Sequence, residues 1–315
     1  MRNWRDTASR RDGTAMLQKF DERNRDLLIN INGRLVHRDS AGVSPFDSVV
    51  QGGDAVWEGL RLYSGRIFRL TEHLDRLRDS AAALAFASIP SHDHIIREIE
   101  RTLSANGMRD GAHIRLTLTR GVKVTSGMDP RLNQAGPTLI ILAEHKPPVY
   151  DKSGLRLITA GIRRIPPECL DQKIHSCNLL NSILAKIQAN AAGADDALML
   201  DSRGFLAETN ATHIYVARRG VVATPTTGSC PEGITRQVVI ELCRGLDIDF
   251  QVRDISLAEA YRADELFCSG TMGELAPVIA LDGRAIGEGA AGPIYRRLSE
   301  AFRALTETQG TIVCR

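Results

Sequence analysis

The sequence predicts an α/β protein folded as two lobes, on three observations. The chain has 315 residues, more than one average domain. Strand-type runs joined by Asn-Gly and Ser-Gly turns alternate with segments of helical periodicity along most of its length. Near the middle, a Pro147-Pro148 pair sits in a polar stretch and marks a boundary. The expected division is an arm over 1–26, a small α/β domain over 27–146, a linker over 147–153 and a large α/β domain over 154–315.

Taken in order, the arm carries seven Lys/Arg and five Asp/Glu with little apolar periodicity, which suits a flexible or loosely docked segment. Residues 27–30 and 34–37 flank Asn32-Gly33, a dipeptide that tolerates positive φ at both turn positions, and form a hairpin. Residues 60–63 and 66–70 form a second hairpin across Ser64-Gly65; between the two, 44–59 reads as a loop of small and polar residues. Leu74, Leu77, Ala81, Leu84 and Ala85 recur at helical spacing within 71–87. Ser91 can cap a further helix over 94–105, and strands are expected at 112–119 and 138–143.

In the second half, strands at 155–161, 197–201, 205–208, 213–217, 221–224, 265–268 and 278–281 alternate with helices at 176–192, 234–246 and 293–307. The last helix opens on a proline at its first position.

Composition excludes several classes. A formal net charge of +2, with 25% charged and 43% apolar residues, leaves no clustered basic surface for nucleic acid or anionic membrane. The six cysteines form no CxxC pair and read as free thiols of a reducing compartment, and no run reaches the roughly 18 apolar residues a membrane helix needs. A cytoplasmic protein is expected. His92 and His94 lack a third ligand nearby in sequence, so no metal site is expected. Gly287-Glu-Gly-Ala-Ala-Gly292 matches GxGxxG, but too little chain follows it for a dinucleotide fold.

Other segments converge on an anionic, aromatic ligand. Gly233-Ile234-Thr235 puts a glycine before a helix start, where free backbone N–H groups favour a phosphate. Ser269-Gly270-Thr271-Met272-Gly273 leaves a strand through two glycines and two hydroxyls, and Arg61 follows a Gly-rich loop. Glu208 at a strand end can hold a protonated ring nitrogen. Residues 171–181, Asp-Gln-Lys-Ile-His-Ser-Cys-Asn-Leu-Leu-Asn, supply Lys173 and His175 beside a helix start. A lysine, a phosphate cradle and a carboxylate together imply pyridoxal 5'-phosphate.

At the level of motifs the chain resembles the fold-type IV, or class IV, pyridoxal-phosphate aminotransferase family, which holds branched-chain and D-amino acid aminotransferases and aminodeoxychorismate lyases. The resemblance rests on Trp57-Glu-Gly-Leu-Arg61, Glu72-His-Leu-Asp-Arg-Leu77, Asn178-Leu-Leu-Asn181, Phe205-Leu-Ala-Glu-Thr-Asn210, Gly233-Ile-Thr-Arg236 and Ser269-Gly-Thr-Met-Gly-Glu-Leu-Ala-Pro-Val278, in that order. It implies a homodimer of two-domain subunits, with Arg61, Ile234, Thr235 and Thr271 on the phosphate and Glu208 on the pyridine nitrogen. It also implies an amino acid and a 2-oxo acid as substrates, with Met272 among the substrate-binding residues. His113-Ile-Arg115 resembles the branched-chain Tyr-x-Arg substrate site with the tyrosine lost. Arg120 resembles the carboxylate-binding arginine of the D-amino acid enzymes.

The catalytic position departs from the family. There the Schiff-base lysine lies three or four residues before the asparagine matching Asn178, whereas Lys173 lies five before it and His175 three before it. Residues two apart on an ideal strand share a face, so spacing permits either residue at the cofactor. A transaminase using Lys173 is one expectation. The alternatives are an enzyme of the same fold with His175 as base and the cofactor held non-covalently, a lyase-like enzyme, and a non-catalytic binding protein.

Overall fold

The computed structural model describes residues 18–314 and is built on two sheets. The first region runs through β1 (Leu28–Ile31), β2 (Arg34–His37), α1 (Ser48–Gly52), β3 (Ala55–Tyr63), β4 (Arg66–Ile67), α2 (Leu70–Ala83), α3 (His92–Ala105), β5 (Ala112–Thr119) and β6 (Thr138–His145). The second begins with β7 (Leu155–Thr159), α4 (Leu180–Ala191), β8 (Asp196–Leu200), β9 (Leu206–Thr209), β10 (His213–Arg218) and β11 (Val221–Thr224). It continues through α5 (Ile234–Gly245), β12 (Phe250–Val252), α6 (Leu257–Tyr261), β13 (Glu265–Gly270), β14 (Glu274–Leu281), β15 (Arg284–Ala285), α7 (Pro293–Thr308) and β16 (Thr311–Ile312).

The first sheet is antiparallel throughout, in the order β16-β4-β3-β5-β6-β1-β2. Its backbone is the long β3–β5 ladder, from Ala55↔Thr119 to Leu62↔Ala112. Leu60, Leu62, Ile114 and Leu116 meet Leu70, Leu74 and Leu77 of α2 and Ile95, Ile99 and Leu103 of α3 in one apolar cluster. Truncating any of these leucines to alanine costs roughly 2–5 kcal/mol, because the cavity left relaxes only in part.

The second sheet is mixed, in the order β12-β11-β10-β13-β14-β7-β8-β9, with β15 on β14. One face packs on α6 through Ile255 and Ala260, and the other on α5 and α7 through Val239, Cys243, Leu298 and Phe302. Residues 311–312, expected in the large domain, return to the first sheet, where Thr311 pairs with Ile67.

Both glycine hairpins form with positive φ at Asn32, Gly33, Ser64 and Gly65. Further expectations change. The loop read over 44–59 holds α1, capped by the Asp47 carboxylate, and the first five residues of β3. Pairing with β5 supplies the backbone partners that the local sequence did not announce. The helix expected from 176 starts at Leu180, because residues 175–177 pair instead with β3: Trp57 N–H donates to the His175 carbonyl at 3.0 Å and Cys177 N–H to Ala55 at 2.8 Å. The arm is tied down at its end, where buried Asn24 exchanges hydrogen bonds with the His145 backbone at 2.9 and 2.8 Å. Residues 1–17 of that arm lie outside the described residues. Among the described residues no helix is long and apolar enough to cross a membrane.

Candidate active site

An open cleft of about 2200 Å³ lies between the sheets, with Trp57 and Gly59 of β3 on one side and Glu208, His213 and Ser269 on the other. Six of the residues expected at a site line it: His175, Glu208, Ile234, Thr235, Thr271 and Met272. Lys173, Arg61, His113, Arg115 and Arg120 stand outside that lining.

The anionic end is built from two chain turns. Gly233 precedes α5 with no side-chain cap, so the first N–H groups of the helix are free for a ligand. A glycine is needed there because a Cβ would sit 2.1 Å from Nε2 of His213. The β13–β14 turn brings Gly270, Thr271 and Met272 to the same cleft. Arg61 lies one layer back, 5% exposed, donating from Nη2 to the Lys146 carbonyl at 3.1 Å. Its Nε and Nη1 are buried without a hydrogen-bond partner. A buried guanidinium with two unpaired nitrogens beside a cleft rimmed by free amides is suited to an anion.

Glu208 is also in the cleft, but it has a partner the sequence did not point to. Arg164 approaches it at 2.6 Å and is itself held by Gln172, Ser182 and Asn181 and by the Ser229 carbonyl. Burial pushes Glu208 up to about 7, against the guanidiniums of Arg164 and Arg76. A carboxylate offers about four lone-pair sites, so Glu208 can keep Arg164 and still accept from a ring N–H. Glu208, His213 and Cys230 also bring ligand-type atoms within 4.8 Å of one another. Arg76, Arg164 and Arg236 surround His213 and, after burial, push it down to about 3; the same charges disfavour a cation.

Lys173 and His175 separate cleanly. The backbone turns at Asp171, whose carbonyl accepts from Ile174 N–H and whose carboxylate accepts from Lys173 N–H. The strand rule that would put both side chains on one face therefore does not apply. Lys173 is 53% exposed, its Nζ 3.6 Å from Glu232. His175 faces the cleft, stacked on Trp57 with ring centroids 4.3 Å apart. Among the described residues four lysines line the cleft, Lys19, Lys146, Lys152 and Lys186; of these, Lys152 is bound to the Gly273 and Leu275 carbonyls, and Lys186 to Asp196 and the Asp195 carbonyl.

The expected substrate residues are placed unevenly. Met272 lines the cleft. His113 is buried and pushed down to about 3 by burial and by Lys146, Arg61 and Arg115; its Nε2 has no partner. Arg115 lies over Trp57, 3.5 Å from the ring centroid. Arg120 is occupied by structure: it chelates Asp54 at 2.6 and 3.1 Å, donates to the Leu84 and Ala85 carbonyls and covers Phe86. Sequence reasoning passed over Glu58, Arg76, Arg164 and His213. Glu58 and Arg76 sit inside motifs already singled out, which was the available signal.

Comparison with known proteins identifies the family and the fold. Residues 55–281 match the family described as Amino-transferase class IV. Branched-chain-amino-acid aminotransferase-like protein 2 of Arabidopsis thaliana is 55% identical over 288 residues, 91% of this chain and 52% of that protein, so the chain spans about half the length of that relative. A putative branched-chain-amino-acid aminotransferase of Methanocaldococcus jannaschii is 41% identical, over 90% of this chain and 97% of its own length. The D-alanine aminotransferase of Bacillus licheniformis is 32% identical, over 89% and 98%. A T.th. branched-chain amino acid aminotransferase, solved with N-(5'-phosphopyridoxyl)-L-glutamate, superposes with a TM-score of 0.83 at 34% identity, covering 90% of this chain and 94% of that one. The same enzyme with pyridoxamine 5'-phosphate gives the same score. With its motifs, its two-sheet fold and a family match over most of its length, the chain belongs to the class IV aminotransferases.

Proposed function

We propose that this cleft binds pyridoxal 5'-phosphate and exchanges the amino group of an amino acid with a 2-oxo acid, in the range of the branched-chain and D-amino acid aminotransferases. The observation that carries the reading is the buried, half-unpartnered Arg61 guanidinium beside a cleft where the α5 N-terminus, Thr271 and Glu208 converge. Arg61, Ile234, Thr235 and Thr271 hold the phosphate, and Glu208 the ring nitrogen. Pyridoxal phosphate, when bound, supplies the electron sink that makes a substrate Cα–H acidic. The chain's own part is to orient that C–H bond, to exclude water and to move the proton. Met272, His113 and Arg115 belong to the substrate side.

One observation favours a second assignment of the proton carrier. Lys173 is on the surface and His175 in the cleft, so His175 takes the proton in that assignment and no lysine is held covalently. We also propose a cytoplasmic homodimer. Leu180, Ile183, Leu184 and Ile187 expose an apolar stripe along α4, beside the cleft that Leu179 and Ile183 line, and all six cysteines are free.

The test is amino-group transfer by the purified chain with pyridoxal phosphate, using L- and D-amino acids against 2-oxo acids, followed by borohydride reduction and peptide mapping. Transfer with an adduct on Lys173, lost in Lys173→Ala, assigns the lysine. Transfer with no trapped lysine, lost in His175→Ala, assigns the histidine. Cofactor binding with no transfer for any pair refutes the aminotransferase reading.

A further inference from the structure

Behind His175 lies a buried cluster that neither the motifs nor the expected chemistry accounts for. Glu58 is fully buried on β3 and accepts from three α2 donors: Nδ1 of His73 at 2.6 Å, and Nε and Nη2 of Arg76, each at 2.7 Å. Its Oε1 also lies 3.4 Å from Nδ1 of His175. That same Nδ1 is 2.5 Å from the Trp57 carbonyl. The rest of the His175 frame is held too. Its backbone N–H donates to Ser80 Oγ at 3.0 Å, its carbonyl accepts from Trp57 N–H, and its ring stacks on Trp57, whose Nε1 donates to the Ser176 carbonyl at 3.0 Å.

The atoms around Nδ1 decide which ring nitrogen carries the proton. A carbonyl oxygen and an ionised carboxylate can only accept, so Nδ1 must donate. Glu58 is ionised: although burial pushes a carboxyl up, the Arg76 guanidinium, which donates to it from both Nε and Nη2, and the His73 ring hold it well below the usual carboxylate range. Nε2, on the opposite edge of the ring, makes no hydrogen bond with any described residue. The side chain keeps 14% of its surface, and it lines the cleft. Burial first, then Arg76, push His175 below its ordinary value, so the ring is neutral near pH 7 and Nε2 presents a lone pair.

We infer that Glu58 is a positioning residue: with the Trp57 carbonyl it fixes His175 as the Nδ1–H tautomer and aims Nε2 into the cleft as a proton acceptor, and His73 and Arg76 hold Glu58 in place. This deepens the second assignment above. In the step it prepares, the Cα–H bond of a cleft-bound substrate breaks, its electron pair stays with the carbon side and the proton passes to Nε2. The imidazolium formed is stabilised by Glu58 through Nδ1–H, as carboxylates do for catalytic histidines elsewhere.

The test is ring ¹⁵N NMR of histidine-labelled protein as purified, titrated with pH. The groups facing His175 are Glu58 from β3, His73 and Arg76 from α2, Arg115 through Trp57 from β5, and His213 from β10. The expected spectrum has a protonated Nδ1 and an unprotonated Nε2 on His175 near neutral pH. A proton on Nε2 in the neutral ring overturns the inference. In Glu58→Gln, the loss of a carboxylate this close should lower the His175 pKa by about 1 unit. An unchanged pKa and unchanged Nδ1 shift overturn the role of Glu58. If Glu58→Gln does not fold, Glu58→Asp, which keeps the charge for Arg76 but withdraws it from His175, should give a smaller fall in the same direction, and no fall counts against it. The measurement needs neither cofactor nor turnover, so a chain that binds no pyridoxal phosphate would refute the proposed function and leave this inference standing.

Discussion

Replacing Arg61 by methionine should stabilise the cofactor-free protein and weaken its hold on the cofactor, and the opposite signs of those effects are the test. The buried guanidinium has one protein hydrogen bond, to the Lys146 carbonyl, and leaves Nε and Nη1 unpaired. Unsatisfied buried donors cost about 1–3 kcal/mol, and the single bond returns about 1 kcal/mol. Methionine fills similar space without the charge, so a net gain of about 1 kcal/mol, or a few degrees in Tm, is expected without cofactor. With pyridoxal phosphate the balance reverses. A charge-assisted hydrogen bond is typically worth about 1.5–3 kcal/mol, so affinity should fall about ten- to a hundredfold. Thermal melts of stripped protein and absorbance titrations with the cofactor read the two quantities separately. Unchanged affinity, or a stripped protein destabilised by several kcal/mol, would refute the reasoning, since Arg61 would then be part of the fold and not of an anion site.

Arg120→Ala should destabilise the fold by about 2–3 kcal/mol through loss of the Asp54 pair and of two bonds to the carbonyls after α2, with KM for the amino acid unchanged. A tenfold rise in KM at unaltered stability would return Arg120 to the substrate. Leu184→Glu with Ile187→Glu puts two carboxylates into the exposed α4 stripe and should shift sedimentation from dimer to monomer; a dimer that persists would place the interface elsewhere.

The family and most of its elements were legible in the sequence because they are local. Asn32-Gly33 and Ser64-Gly65 turn the chain by their own φ preferences, and the helical spacing of Leu74, Leu77 and Ala81 states which face of α2 is buried. The same holds for the free amides after Gly233 and for Glu208 at the end of β9, which follow from where a helix starts and a strand stops. What the sequence left open was decided by contacts between distant segments. The five residues from Ala55 that open β3 read as loop until β5 pairs with them, and residues 176–177 read as helix until β3 takes their hydrogen bonds. That pairing sets His175 toward the cleft while the turn at Asp171 leaves Lys173 outward, against a period-two rule that holds only for a regular strand. Arg120 looked free for a carboxylate because nothing local reveals that Asp54, Leu84 and Ala85 will meet it. Nor could spacing show that Glu58, 117 positions from His175 in sequence, stands behind that ring, since a buried carboxylate gathers its partners through the packing of α2 on β3.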